Sequence, residues 1–383
     1  MNTPLPYIQL IHEFTPHIQP KDKRHLNVFA EIVTSILLSS SACLSHWLPF
    51  LSHRHCNARS HMARLSYFIH NQNISSDIFY QPLLQFFLHS WNGLPLTLVL
   101  DTSMLWQQFC LIEVSLIWGG RSITVAQKVI KHRSAAVAVS EYLPVLEMAQ
   151  TALPDDCQIT LLADRGFEHR DLINWLTKQK WSWLIRAKSD LIVTLKADCS
   201  DYVSQLCPPT DQVYLFNNVQ VLEGSRCNLA IANSSIAKES WAVLTNEPIS
   251  LQTFAIYGQR FGGIEPHFKD YKSGAFEVIR SRIRNPWALT NLFMLLSVAQ
   301  LISIYIGLLL TLKGKRSEID WHSQRGLSFL QLGLREIQRI LYQRLLLPSL
   351  RSLPRINPPV ACGSKRKRKF LDYQIEFQKV VTW

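Results

Sequence analysis

The sequence predicts an α/β fold, a mixed sheet built in the middle of the chain with helical regions before and after it. Nearly continuous apolar runs at 94–100, 109–118 and 157–163 end abruptly in charged or turn residues, as strands buried on both faces do. Stretches with apolar residues three and four apart alternate with them. A hydrophobic content of 47% over 383 residues argues against disorder and supports two or three compact units.

Charge narrows the partner. Lys and Arg number 40 against 28 Asp and Glu, an excess of +12 that favours a polyanion, because each cation meeting a phosphate releases condensed counterions. The eight cysteines form no CxxC pair and read as reduced thiols, and the first twenty residues hold no long apolar run. Both features point to the cytoplasm.

Residues 1–92 read as a self-contained helical domain. Apolar residues recur at helical spacing through 26–51, and a basic, His-rich link at 53–64 precedes further helical patterning. Arg54, Arg59 and Arg64 make it a candidate DNA-binding domain, the plainer alternative being a solvated helical face.

The core is expected at 93–312. A strand at 94–100 ends at Asp101. Strands at 109–118 and 122–126 form a hairpin about Gly119-Gly120, and a helix at 136–152 is broken by Pro154-Asp155-Asp156. A strand at 157–163 ends at Asp164, and a helix at 168–178 and a strand at 181–186 follow. This order, βββαβαβ, is that of a ribonuclease-H-like core, whose fourth strand lies beside the first and brings Asp101 and Asp164 to one crevice. Residues 188–255 form a β-rich insertion, with strands at 212–222, 227–233 and 240–245. A long helix is expected over 265–284, stopped by Asn285-Pro286.

The next run, WALTNLFMLLSVAQLISIYIGLLLTL, carries no charge and is long enough to cross a bilayer. Thr290, Asn291 and Gln300 interrupt it, which favours a buried core helix over a membrane span. Residues 313–383 read as a helical, basic region with a helix over 322–347 and a Pro-rich tail carrying five consecutive basic residues at 365–369.

Three carboxylates are candidates for chemistry. Phosphodiester cleavage by two cations needs acidic groups converging on ions roughly 3.5–4 Å apart. Two Asp at strand ends and a Glu on a later helix supply them, although an Asp at a strand end also commonly caps a turn. In the segment YGQRFGGIEPHFKDYKSGAFEVIRSRIRNP, Ile264, Phe268, Tyr271, Ala275, Ile279 and Ile283 mark a core-facing stripe, while Glu265, Lys269 and Lys272 share another face. That face is either a surface ion-pair ladder or a metal ligand beside phosphate-binding lysines.

The fragments LVLDTSM, LLADRGFEHRDLINWL and YGQRFGGIEPHFKDYKSG together resemble the three catalytic blocks of bacterial DDE transposases of the insertion-sequence-four family, including its Tyr-Arg-Glu-Lys signature. The resemblance covers about residues 94–310. It implies Asp101, Asp164 and Glu265 as catalytic ligands of two Mg²⁺ ions, with Mn²⁺ as a substitute, and Tyr257, Arg260 and Lys272 as DNA contacts, to which the shared helix face adds Lys269. It also implies a nucleoid-associated bacterial enzyme that cuts and joins DNA at transposon ends and targets, works as a homodimer in a synaptic complex, and needs no membrane. Hairpin intermediates are implied in the same way. The family has three residues between Arg and Glu and this chain has four, which keeps open a non-catalytic nucleic-acid-binding protein with a degenerate core. Gly262-Gly263 and Pro266 place the helix start near Glu265 and Arg260 in a loop. Trp241 is a candidate for stacking on an extruded base, against a plain core role. Cys43, His46, His53, His55, Cys56 and His61 cluster without a standard zinc spacing.

Overall fold

A computed structural model describes residues 5–51, 56–196, 199–356, 358, 360–363, 377 and 379–383. His53, Arg54, His55 and the basic run at 365–369 lie outside the described residues.

The N-terminal part is helical: α1 (Leu5–Phe14), α2 (Lys23–Ser39), α3 (Leu44–Trp47), α4 (Ala58–His70), α5 (Ser76–Phe79) and α6 (Gln81–Leu88). Asp22 caps α2 by accepting from the Arg24 N–H, and Asn57 caps α4 from Ser60. Arg64 reaches the buried Glu31, so its charge is used inside the fold rather than on a free face. The region is not the self-contained unit expected from sequence: Phe29, Ile32 and Phe68 share one continuous core with the strands and the long apolar helix.

The sheet begins with β1 (Pro95–Leu105), β2 (Phe109–Trp118) and β3 (Arg121–Lys131), an antiparallel meander. Its turns need left-handed backbone at Trp106 and Gln107 and again at Gly119 and Gly120, the pattern of tight hairpin connections. Then come α7 (Val139–Ala152), β4 (Gln158–Ala163), α8 (Arg170–Lys178) and β5 (Ser182–Arg186), with β4 parallel to both β1 and β5. The spatial order β3-β2-β1-β4-β5 is a ribonuclease-H-like core, as the sequence predicts.

The β-rich insertion joins this sheet edge to edge. It contains β6 (Ile192–Lys196), β7 (Cys199–Tyr202), β8 (Gln212–Val221), β9 (Ser225–Asn233) and β10 (Trp241–Thr245), and β10 pairs antiparallel with β5. β6 and β7 have no counterpart in the sequence reading.

Next is α9 (Leu251–Lys269), which replaces the helix expected over 265–284. The chain enters it at Ser250, whose side chain and that of Thr253 close a capping box. Gly262 and Gly263 therefore lie mid-helix. Gly263 allows close approach, since a Cβ there would lie 3.1 Å from Ile117 and Ser122. Pro266 falls in the final turns, and the helix gives way to one π-helical turn, Asp270–Gly274, and a short 3-10 turn, Val278–Ser281. Ile279, expected in the core stripe, is exposed instead.

The apolar run forms α10 (Pro286–Leu312), capped by Asn285. It is long and apolar enough to cross a membrane; here β3, α2, α4 and α11 (Phe329–Tyr342) cover it. Gly307 and Gly333 let α10 and α11 approach at backbone distance. The C-terminal region is less helical than expected. Beyond α11 the described chain is extended along α6 and the β2–β3 turn, and β11 (Lys379–Thr382) adds a parallel strand to β8.

α9 and α10 cover one face of the core sheet, where Gln127 bonds Ser297 at 3.2 Å. α7 covers the other through neighbouring Lys128, which pairs with Glu141.

Candidate active site

Three parallel strands finish side by side. Leu100 is in register with Ala163 and Ala163 with Ile185, so Asp101, Asp164 and Arg186 occupy equivalent next positions in a row. This is the carboxyl end of the strands, where open α/β sheets form ligand sites.

The two aspartates are held alike. Asp101 Oδ1 accepts from the Thr102 N–H and Asp164 Oδ1 from the Arg165 N–H, each at 2.8 Å. Their Oδ2 atoms share one cation, with Arg260 Nη2 2.8 Å from Asp101 and 3.8 Å from Asp164. The oxygens are therefore no farther apart than the sum of those distances, within the span of an ion pair.

Arg260 sits in α9, not in a loop, and is buried. Burial pushes the Asp101 carboxyl up to about 6, although Arg260 and the Thr102 N–H pull it down; Asp164 and then Glu265 add smaller upward pushes. The protein's own donors thus leave this carboxylate under-stabilised.

The buried seam of α9 runs Tyr257, Arg260, Ile264, His267. An α-helix turns about 100° per residue. Four positions on from Arg260, on nearly the same face, lies Ile264; Glu265, one further, is rotated about 140° away. Glu265 is accordingly exposed. Among the described residues no three of His, Cys, Asp or Glu gather closely enough to hold a metal. The structure unites Asp101 and Asp164 and leaves Glu265 on the flank, where the sequence predicts three converging groups. Of the Cys/His cluster read from the sequence, His53 and His55 lie outside the described residues, and the His46 ring bonds Ser41 Oγ at 2.8 Å.

Of the other predicted residues, Lys269 is exposed, and Lys272 is half-buried near Cys110, where burial lowers its pKa. Tyr257 is fully buried and, among the described residues, its hydroxyl has no hydrogen-bond partner, as is true of Arg260 Nε. Burial, the largest influence, raises the tyrosine pKa. Trp241 packs edge-on against Tyr257 at 5.7 Å and tilted on Phe261 at 5.4 Å, part of an aromatic group beside the carboxylates.

Arg186 was missed in the sequence reading. It is buried and paired with Glu239 at 2.8 Å, with Arg165 3.6 Å from the same carboxylate. Its signal was present, since WSWLIR, like LVLD and LLAD, is an apolar strand ending in a charge.

Hard oxygen donors on a desolvated floor suit a divalent cation such as Mg²⁺. The Oδ2 atoms of Asp101 and Asp164 both face the Arg260 guanidinium and their side chains keep 16% and 38% of their surface, so the pair can present oxygens to such an ion.

Fold and site define a ribonuclease-H-like protein with a strand-end carboxylate pair. Within it, residues 123–302, from β3 through most of α10, match the family described as Transposase DDE domain. That segment includes Asp164 and Glu265 and begins after Asp101. No protein of curated function matches the chain. Among solved structures, the chain is similar to piggyBac transposase, seen by cryo-EM in a synaptic complex with hairpin DNA. The identity is 12%, over 95% of this chain and 86% of that one, with a TM-score of 0.47.

Proposed function

We propose that the chain is a DNA transposase of the DDE type, which cleaves and joins phosphodiester bonds at the ends of an insertion sequence. The observation that carries this reading is the juxtaposition of Asp101 and Asp164 at the ends of neighbouring parallel strands, within a chain whose 123–302 segment is similar to the Transposase DDE domain.

Asp101 and Asp164 would hold Mg²⁺, or Mn²⁺ in its place, and Glu265 would complete the set as third ligand once its segment of α9 turns it from the flank toward the pair. Two such ions stabilise the attacking and leaving oxygens of an in-line displacement. Arg260 keeps Asp101 ionised against its burial and holds the two carboxylates toward one point. Tyr257 supports Arg260 from within the fold, since neither side chain has surface for a direct DNA contact as placed here. Lys269 and Lys272 are the cations of this segment placed to meet DNA phosphates. DNA is the partner, at transposon ends and target, and holding two ends together calls for a homodimer in the synaptic complex. The setting is the bacterial cytoplasm, at the nucleoid. The helical N-terminal region, the core with its insertion and the basic C-terminal region divide end binding, chemistry and backbone contact between them.

The outward Glu265 favours a second reading, a DNA-binding protein whose catalytic centre has decayed. Incubating the chain with Mg²⁺ and duplex carrying the terminal sequences of its own gene separates the two. The enzymatic reading expects strand cleavage that disappears in Asp101→Asn and in Asp164→Asn while DNA binding persists. Binding without cleavage by the unaltered chain supports decay, and cleavage surviving both substitutions overturns the assignment of the carboxylates.

A further inference from the structure

The β1–β2 hairpin runs on past Asp101 to a tip at Trp106 and Gln107. Five residues of strand at about 3.3 Å each put this tip about 17 Å beyond the carboxylates. On one side, the His132 N–H bonds the Gln108 carbonyl at 3.0 Å, fixing the end of β3 and the exposed Arg133 beside the tip. On the other lies the segment 277–284, with Arg280, Arg282 and Arg284 exposed at alternate positions.

That segment is clamped. The Trp106 indole N–H donates to the Ile279 carbonyl at 3.1 Å, and the Arg284 guanidinium lies 3.8 Å over the Trp106 ring. Both Glu277 and Arg282 adopt left-handed backbone, at φ +52° and +60°. For side-chain-bearing residues this costs about 1–2 kcal/mol each and persists only where surroundings enforce it. Glu277 is the lone acid of the segment and pairs with Arg280. Arg133 and Arg282 have no ion-pair or hydrogen-bond partner among the described residues, and Arg284, whose Nη1 donates to the Ile283 carbonyl at 3.0 Å, keeps its remaining edge donors for an anion.

We infer that this clamped tip, with Arg133 on one flank and Arg282 and Arg284 on the other, is a second binding surface for the DNA backbone. It grips phosphates of a duplex that continues beyond the carboxylates. At 3.4 Å per base pair, a 17 Å offset corresponds to about five base pairs from the phosphate at Asp101 and Asp164. The inference rests on the transposase reading for its choice of ligand, but its test does not depend on cleavage.

The test measures binding of the full chain to a duplex of about 30 base pairs, in chelator, as a function of salt. Each phosphate contact contributes about 0.9 to the slope of log affinity against log salt. A double variant, Arg133→Gln with Arg282→Asn, is expected to lower the slope by about two; Asn tolerates the left-handed backbone at 282. A charge-matched control, Lys178→Gln with Lys180→Gln, lies at and just after the last residue of α8, at the end of the sheet opposite the carboxylates, and is expected to leave the slope unchanged. Equal melting temperatures establish that all three proteins are folded. An unchanged slope in the first variant, or equal losses in both, overturns the inference. A chain that never cuts DNA yet shows the predicted difference loses the enzymatic reading and keeps this one.

Discussion

Asp101 and Glu113 are register partners across β1 and β2 and point to the same face of the sheet, yet they live in opposite circumstances. Glu113 is sealed. Its Oε1 accepts from His267 Nε2 at 2.6 Å, from Thr124 Oγ1 at 3.1 Å and from Ser115 Oγ. Gln300 Nε2 donates to His267 Nδ1 at 2.9 Å, so the ring proton sits on Nε2. Thr124 in turn meets the Tyr271 hydroxyl at 2.9 Å. Asp101 has one N–H and one shared guanidinium and opens onto the crevice. A fully buried carboxylate bonded to His267 ties α9 to the sheet; a partly exposed one beside a second carboxylate can take up a cation from outside. Location on a strand does not distinguish structure from chemistry, whereas access does: the Glu113 side chain is fully buried and that of Asp101 keeps 16% of its surface.

The largest expected effect tests the open side. Asp101→Asn should reduce Mg²⁺-dependent strand cleavage by more than about 100-fold, beyond the 10–100-fold typical of groups outside the ligand shell. A rate within tenfold of the unaltered chain, measured in single turnover, would remove Asp101 from the site.

On the sealed side the loss should be in stability. His267→Ala leaves the Glu113 charge without its main donor and should destabilise the fold by about 3–5 kcal/mol, read from the denaturation midpoint. A loss under about 1 kcal/mol would mean that the network does not anchor α9.

The same Asp101→Asn should stabilise the chain in chelator at pH 7. Its folded-state pKa, about 6, lies above the ordinary carboxylate value, so the folded chain holds this proton more tightly than the unfolded one. Stability from this group is therefore full at low pH, falls as pH rises from about 4 to about 6, and stays reduced above. The difference approaches about 3 kcal/mol, and Asn, which cannot ionise, removes it. A variant less stable than the parent at pH 7 would show that the two sides do not differ as described.

The smallest effect belongs to the shared cation. Arg260→Gln removes the strongest influence holding the Asp101 carboxyl down, so the pH window over which stability falls should move upward, as urea titrations across pH would report. No movement would mean that solvent, rather than Arg260, keeps the pair ionised.

The central strands were legible because burial on both faces writes itself as an unbroken apolar run, and the charges that stop those runs are the candidate site. β6 and β7 were not, since they lie at the outer end of the sheet and leave residues such as Ile192 and Tyr202 exposed. α9 was misplaced for a specific reason: Gly262-Gly263 and Pro266 are ordinary signals of a helix start, while the true cap, Ser250 with Thr253, stood in what read as insertion. In this fold the glycines serve close packing. The extra residue before Glu265 was visible as a departure in spacing, but its result, a carboxylate turned from its partners, follows only once Arg260 is known to share the same helix.

The position of α10 in the chain bears on how the protein is made. Of the elements that cover this uncharged helix, β3, α2 and α4 all precede it, and only α11 follows. As a nascent chain leaves the ribosome N-terminal end first, a segment greasy enough to attract membrane-insertion machinery emerges after most of its protein lining already exists. Synthesis order thus makes most of the residues that line this segment in the fold available before it emerges, and α11, which meets it through the Gly307–Gly333 contact, comes after it.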